Sequence, residues 1–257
     1  MGRTRYTGWA CMAAGMAAMA MVGTANAADM DYIPAPSVGY NWTGFYVGGA
    51  AGYINARARN QHDTELFDPL LLTSTIDSYT TTIKPDGGLF GGYAGYNWQM
   101  PGSGFVFGLD GDFYASTAKK SSTIEVYPGG MVDMRQKVKT TWAARARVGW
   151  AVESFMAYLA GGYAGASLDT RLSDANWVGS SSTSSSSTHH GWTIGGGIDF
   201  LVTPNWIVGV DYQYKDLGHK TTTFTADYAG PPALEYTNSV RTKLTSNQFS
   251  FRAGYKF

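Results

Sequence analysis

The sequence predicts an all-β fold, an eight-stranded antiparallel up-and-down barrel that crosses a membrane. Three observations carry this expectation. Apolar and polar residues alternate with period two over eight segments of about a dozen residues each. The connections between those segments alternate between short and long. The face opposite the apolar residues carries charges of both signs.

The N-terminus precedes the barrel and has a different composition. Arg3 and Arg5 lead into an apolar run from Ala10 to Val22, and Gly23-Thr24-Ala25-Asn26-Ala27 closes it with an A-x-A pattern. This reads as a secretory signal peptide over residues 1–27, with cleavage expected after Ala27. The apolar run is shorter than the roughly 20 residues that a membrane-spanning helix needs. Cleavage removes Arg3, Arg5 and Cys11, the only cysteine, so the mature chain is slightly acidic and can form no disulfide. A proline-containing lead over residues 28–43 is expected on the periplasmic side, ahead of a barrel over residues 44–257.

The expected strands are Gly44–Arg57, Gly88–Gln99, Gly104–Thr117, Lys137–Val152, Phe155–Asp169, Gly191–Val202, Asn205–Gly218 and Thr245–Phe257. Met100–Ser103, Glu153–Ser154 and Thr203–Pro204 are tight turns. The other four gaps are several times longer and polar, as in the serine run Ser180–Thr188, and are expected to be loops at the opposite rim. Gly195-Gly196-Gly197 lacks a following helix and reads as strand positions where neighbours approach closely. Glycine and alanine occupy both faces of the first and fifth strands and leave their register open.

Which face meets lipid follows from the charges. Phe105, Phe107, Leu109 and Phe113 oppose Asp110 and Asp112; Val138, Trp142, Val148 and Trp150 oppose Arg145 and Arg147. Trp192, Ile194, Ile198 and Phe200 oppose Asp199, while Trp206, Val208, Val210, Tyr212 and Tyr214 oppose Asp211, Gln213 and Lys215. On the last strand Phe249, Phe251, Ala253, Tyr255 and Phe257 oppose Gln248, Ser250, Arg252 and Lys256. A soluble barrel hides its apolar face, whereas a membrane barrel turns it outward and keeps a polar lumen. Aromatic residues near the expected strand ends, including Phe45, Trp98, Phe105, Trp150, Trp206, Tyr255 and Phe257, suit interfacial girdles. With a secretory signal, the destination is the outer membrane of a Gram-negative bacterium. The last strand must then pair with the first, because an open edge in lipid costs several kcal/mol per unpaired backbone group.

Particular stretches are also familiar. Asn41-Trp42-Thr43-Gly44-Phe45-Tyr46-Val47-Gly48-Gly49 opens the barrel, Gly92-Tyr93-Ala94-Gly95-Tyr96-Asn97-Trp98-Gln99 forms its second strand, and Asp211-Tyr212-Gln213-Tyr214-Lys215-Asp216-Leu217-Gly218 its seventh. With the closing aromatic strand, the chain from about Asn41 to Phe257 resembles the small outer-membrane β-barrel, porin-family proteins of alphaproteobacteria, related in architecture to OmpA/OmpX-type barrels. The resemblance implies that Phe249, Phe251, Tyr255 and Phe257 form the signal read by the barrel-assembly machinery. It implies outer-membrane lipid and lipopolysaccharide as surroundings, and haem binding or host-cell contact among some relatives. It does not imply transport, a cofactor or a catalytic set.

The candidate functional constellation is the interior charge set: Asp110, Asp112, Arg145, Arg147, Asp199, Asp211 and Arg252. Similar depth on neighbouring strands predicts the pairs Asp110–Arg147 and Asp211–Arg252. An eight-stranded lumen is just wide enough for side chains to fill, so these charges either plug it or line a narrow, gated water path. His62, His189, His190 and His219 fall in or beside the expected long loops, and none has a serine or carboxylate in a catalytic pattern, so no enzyme activity and no metal are expected. His189-His190 remains a candidate loop ligand pair. Balanced charge without a basic block excludes a nucleic-acid partner. The expected role is structural and surface-exposed, with passive conduction of small solutes as its rival.

Overall fold

The computed structural model describes residues 40–68, 73–127, 130–176, 179–228 and 234–257. The expected signal peptide, Cys11 and most of the expected lead lie outside the described residues. The described residues form ten strands: β1 (Gly44–Asp68), β2 (Thr73–Ile83), β3 (Asp86–Gln99), β4 (Phe105–Ser116), β5 (Lys119–Tyr127), β6 (Gly130–Val152), β7 (Phe155–Asn176), β8 (Gly179–Leu201), β9 (Trp206–Tyr228) and β10 (Leu234–Lys256).

Eight of them close a ring in the order β1-β3-β4-β6-β7-β8-β9-β10, every pair antiparallel. β2 and β5 pair with the ends of β1 and β6 beyond that ring. They continue β3 and β4 across brief interruptions at Lys84–Pro85 and Thr117–Ala118. The expected seam is present: Tyr46 pairs with Lys256, and the Phe257 N–H donates to the Phe45 carbonyl at 2.9 Å. Closure therefore leaves no edge in the ring. The two open registers are fixed by pairings such as Gly49 with Ala253 and Gly161 with Ile194.

The tight turns lie where expected, but the described residues of the expected long loops are almost all strand. β6, β8, β9 and β10 each run for 23 residues, well past their expected ends. Residues of the serine run pair in register with β7, from Ser180 opposite Ala175 to Thr188 opposite Ser167. Serine and threonine fit a ladder whose outer face is wet, so these stretches prolong the barrel wall as β-ribbons.

Side chains sort differently along the wall. Near the turn end, Phe45, Phe107, Leu109, Leu159, Phe200 and Phe251 point out and are exposed, while Asp110, Arg145, Asp211 and Arg252 point in and are buried. Toward the ribbon end the sorting reverses: Ile54, Leu89, Val138, Leu168, Leu217 and Leu244 are buried inside, and Arg57, Arg59, Lys137 and Lys139 are exposed outside. Val138 is one correction to the sequence reading, which put it on the Trp142 face. A register shift between Val138 and Thr140 inserts a residue and turns Val138 into the lumen. The close approach expected at Gly195–Gly197 is real: a Cβ on Gly197 would stand 2.5 Å from the Tyr158 hydroxyl.

Candidate functional site

All eight ring strands send a polar or aromatic side chain to one level of the lumen. Tyr46 comes from β1, Tyr93 and Asn97 from β3, Asp110 and Asp112 from β4, and Arg145 and Arg147 from β6. Tyr158 comes from β7, Asp199 from β8, Asp211, Gln213 and Lys215 from β9, and Arg252 from β10. Each lies on the inward parity of a strand whose alternate residues are lipid-facing, so the alternation that suits the membrane also loads the lumen with charge.

Arg145 is the centre of the cluster. Its guanidinium grips Asp110 with two bonds, Nε to Oδ1 at 3.0 Å and Nη2 to Oδ2 at 2.9 Å, and reaches both oxygens of Asp211 at 3.2 Å. Arg252 bridges Asp110 at 3.3 Å and Asp199 at 3.2 Å. Arg147 binds Asp199 at 3.2 Å and donates to Asn97 at 2.8 Å. Gln213 donates to Asp112 and Asp211, Tyr158 donates to Asp211, and Lys215 donates to Thr141 beside Asp112. Tyrosine rings cover the two outer guanidiniums, with Arg147 4.7 Å from the Tyr46 centroid and Arg252 4.4 Å from that of Tyr93.

Three arginines and Lys215 thus face four aspartates, and the side chains of Arg145, Asp110, Asp112 and Asp211 are 0% exposed. Buried charges persist only when paired and hydrogen-bonded, as these are. The four cations and four anions leave the cluster with no net formal charge.

The pairs expected from sequence are corrected here. Asp110 stands opposite Arg145, while Arg147 stands opposite Gly108. The depth argument placed the β4–β6 register two residues off, which keeps the face and changes the partner. Asp211 stands opposite Ser250, and Arg252 reaches across the lumen to Asp110 and Asp199 instead. Such cross-lumen contacts join strands far apart in the ring, which pairwise alternation cannot reveal. The ring of covering tyrosines was also missed. The parity signal was there, since Tyr46 lies between Phe45 and Val47 on the other face.

The cluster is sealed on both sides. Toward the ribbon end lies the apolar layer of Ile54, Leu89, Val138, Leu168, Leu217 and Leu244, followed by Asn60, which accepts from Gln136 at 3.2 Å and Thr242 at 2.9 Å. Toward the turn end Trp42 is fully buried, its N–H donating to Gln99 Oε1 at 3.0 Å and its indole to the Glu153 carbonyl at 3.2 Å.

The histidine pair is split. His189 points inward and is buried, 3.3 Å from the Ser187 hydroxyl. His190 points outward and lies parallel to Tyr163 at 6.0 Å, within the girdle that includes Trp142. Neighbouring strand residues face opposite sides, so the two imidazoles cannot close on one ligand, which corrects the loop-pair reading. Phe249, Phe251, Tyr255 and Phe257 all point outward, and Tyr255 makes an edge contact with Trp206 at 5.6 Å.

Comparison with known proteins agrees with this architecture. The chain matches the family described as outer membrane protein beta-barrel domain over residues 14–257. It is 32% identical to the 25 kDa outer-membrane immunogenic protein of Brucella melitensis over 231 residues, which covers 88% of this chain and 85% of that one. It is also 32% identical to the 31 kDa outer-membrane immunogenic protein of the same organism, covering 72% and 75%. A 22 kDa outer membrane protein of Rhizobium leguminosarum is 30% identical, covering 70% and 66%. Among solved structures, OprG of Pseudomonas aeruginosa aligns with a TM-score of 0.43 at 12% identity, covering 84% of this chain and 96% of that one. A closed ring with a lipid-facing apolar wall and 244 residues of family match leave one assignment: this chain belongs to the outer membrane protein beta-barrel domain family and is an outer-membrane surface protein.

Proposed function

We propose that this barrel is a closed structural and surface protein, whose work is done by its outer wall and extracellular ribbons and not by transport or catalysis. The observation that carries the reading is Arg145 held between Asp110 and Asp211 across the lumen, with no side-chain exposure. A conducting path would hydrate these groups, and their mutual pairing leaves no room for a passing solute. The apolar layer beyond them adds a second barrier, since dehydrated carbon walls oppose ion entry. The ribbons present the charged exterior of the molecule, which fits relatives whose names describe them as immunogenic. In the same reading the outward aromatics Phe249, Phe251, Tyr255 and Phe257 are the feature that the assembly machinery contacts. Lipid and lipopolysaccharide surround the wall.

Single-channel recording of the refolded protein in a planar bilayer tests this. The wild type should be silent, and Asp110→Ala and Arg145→Ala should either open steps or destabilise the barrel. Reproducible conductance steps from correctly folded wild type would overturn the closed reading in favour of a porin.

A further inference from the structure

The lipid-facing wall is not uniform. On β1, β3 and β4 the outward positions Gly49, Ala51, Gly92, Ala94 and Gly111 carry little or no side chain, and Ala144 and Ala146 extend the bare strip onto β6, whereas β8 turns Trp192, Ile194, Ile198 and Phe200 outward. The result is an apolar groove of about 660 Å³ walled by Val47, Phe90 and Phe113. The sheet does not demand this bare floor. A Cβ on Gly92 would meet nothing closer than the Gly48 carbonyl at 3.4 Å, and one on Gly111 nothing closer than the Ala143 carbonyl at 3.7 Å. The inward Gly48 differs, since a Cβ there would stand 2.6 Å from the Gly254 Cα and 2.7 Å from the Tyr93 ring. The outward glycines therefore shape a surface that packing alone would let side chains fill.

The same strands carry three exposed cations beyond the groove, toward the ribbon end. Arg57 continues β1, Lys84 joins β2 to β3, and Lys119 opens the continuation of β4. Lys84 follows Ile83, the partner of Ala58, and so sits beside Arg57. Lys119 stands opposite Asp86, the acid of this patch, which accepts the Tyr53 hydroxyl at 2.5 Å. Among the described residues none of the three cations is in an ion pair. Strand spacing near 4.8 Å gathers them within about 10 Å across the wall. They lie just beyond the interfacial Tyr53, at headgroup level.

Hydrocarbon space that runs toward unpaired cations fits a molecule with an acyl chain and an acidic head. We propose that this face of the barrel binds a phosphorylated glycolipid of the outer leaflet, an acyl chain filling the groove and a phosphate meeting Arg57, Lys84 and Lys119. The site rests on the outer-membrane placement and names where the lipid partner docks, and it is independent of whether the lumen conducts.

The test is retention of lipid A by the full protein extracted in mild detergent, read by native mass spectrometry, using phosphorylated and dephosphorylated lipid A as probes. A cation at a charged lipid surface contributes roughly fivefold in affinity. Arg57→Gln/Lys84→Gln/Lys119→Gln should therefore retain phosphorylated lipid A about a hundredfold less and the dephosphorylated form unchanged. Gly92→Leu/Ala94→Leu fills the groove with the charges intact and should lose both forms. Heat-shifted gel mobility confirms that each variant is folded, and Arg135→Gln/Lys137→Gln on another face should change retention less than about twofold. The proposal is overturned if either groove or charge variant retains lipid as the wild type does. It is equally overturned if filling the groove abolishes only self-association, which would assign the surface to a second copy. Loss of binding to a soluble sulfated polysaccharide alone would assign the cations to that partner instead.

Discussion

The turn end and the ribbon end of this barrel share strands and hydrogen-bond ladders, yet they are built inside out relative to each other. In the membrane the lumen holds Asp110, Arg145, Asp211 and Arg252 while Leu109, Leu159 and Phe251 face out. In the ribbons the lumen holds Val138, Leu168, Leu217 and Leu244 while lysines and arginines face out. The difference teaches that the solvent outside a sheet decides which parity is apolar, and one strand can serve two solvents by changing parity midway. On β1 the change falls between Tyr53, exposed, and Ile54, buried.

The largest break should come from the polar core of the membrane half. Arg145→Ala leaves Asp110, Asp112 and Asp211 facing one another without their shared cation. Removing one partner of a buried pair costs about 3–5 kcal/mol. The midpoint of urea-driven unfolding in lipid vesicles should fall accordingly. In the ribbons the equivalent damage is a cavity. Leu217→Ala should cost about 2–5 kcal/mol, and hydrogen exchange should show lost protection in the ribbons with the membrane half intact. Equal loss in both halves would mean that the halves fold as one unit.

The outer surfaces give smaller effects that separate the halves by sign. Leu159, 69% exposed, faces hydrocarbon in the membrane half of β7. Leu159→Arg should destabilise the barrel by about 2–4 kcal/mol, measured by the same vesicle unfolding. At the ribbon end Lys139 pairs with Asp169 at 2.6 Å in the open. Lys139→Ala should cost no more than about 1 kcal/mol, and less still in high salt.

The membrane half was legible in the sequence because lipid imposes an unbroken outward apolar parity, and aromatic residues mark where each strand meets the interface. The ribbons were read as loops for two physical reasons. Their apolar parity is the opposite one, so Ile54, Ala56 and Ala58 look like a pattern ending after Tyr53 instead of changing phase. Their composition, as in Ser180–Thr188, has little intrinsic strand preference, and pairing with β7 decides the outcome. Within the candidate site, parity puts every charged member on the inward face of its strand. Parity does not name their partners, because a ladder slipped by two residues keeps the face, and because Arg252 finds its carboxylates across the barrel and not beside it.

The seam between β1 and β10 has one more consequence. Gly44 and Phe257 end side by side, held by the Phe257 N–H to Phe45 carbonyl bond. A short peptide could join them, with new ends opened at the Glu153–Ser154 turn, and every strand would keep both of its neighbours. Circular permutation of this kind would leave the finished architecture untouched while changing the order in which its strands follow one another. It would pull apart two properties: adjacency, which belongs to the ring, and succession, which belongs only to the order in which the chain is written.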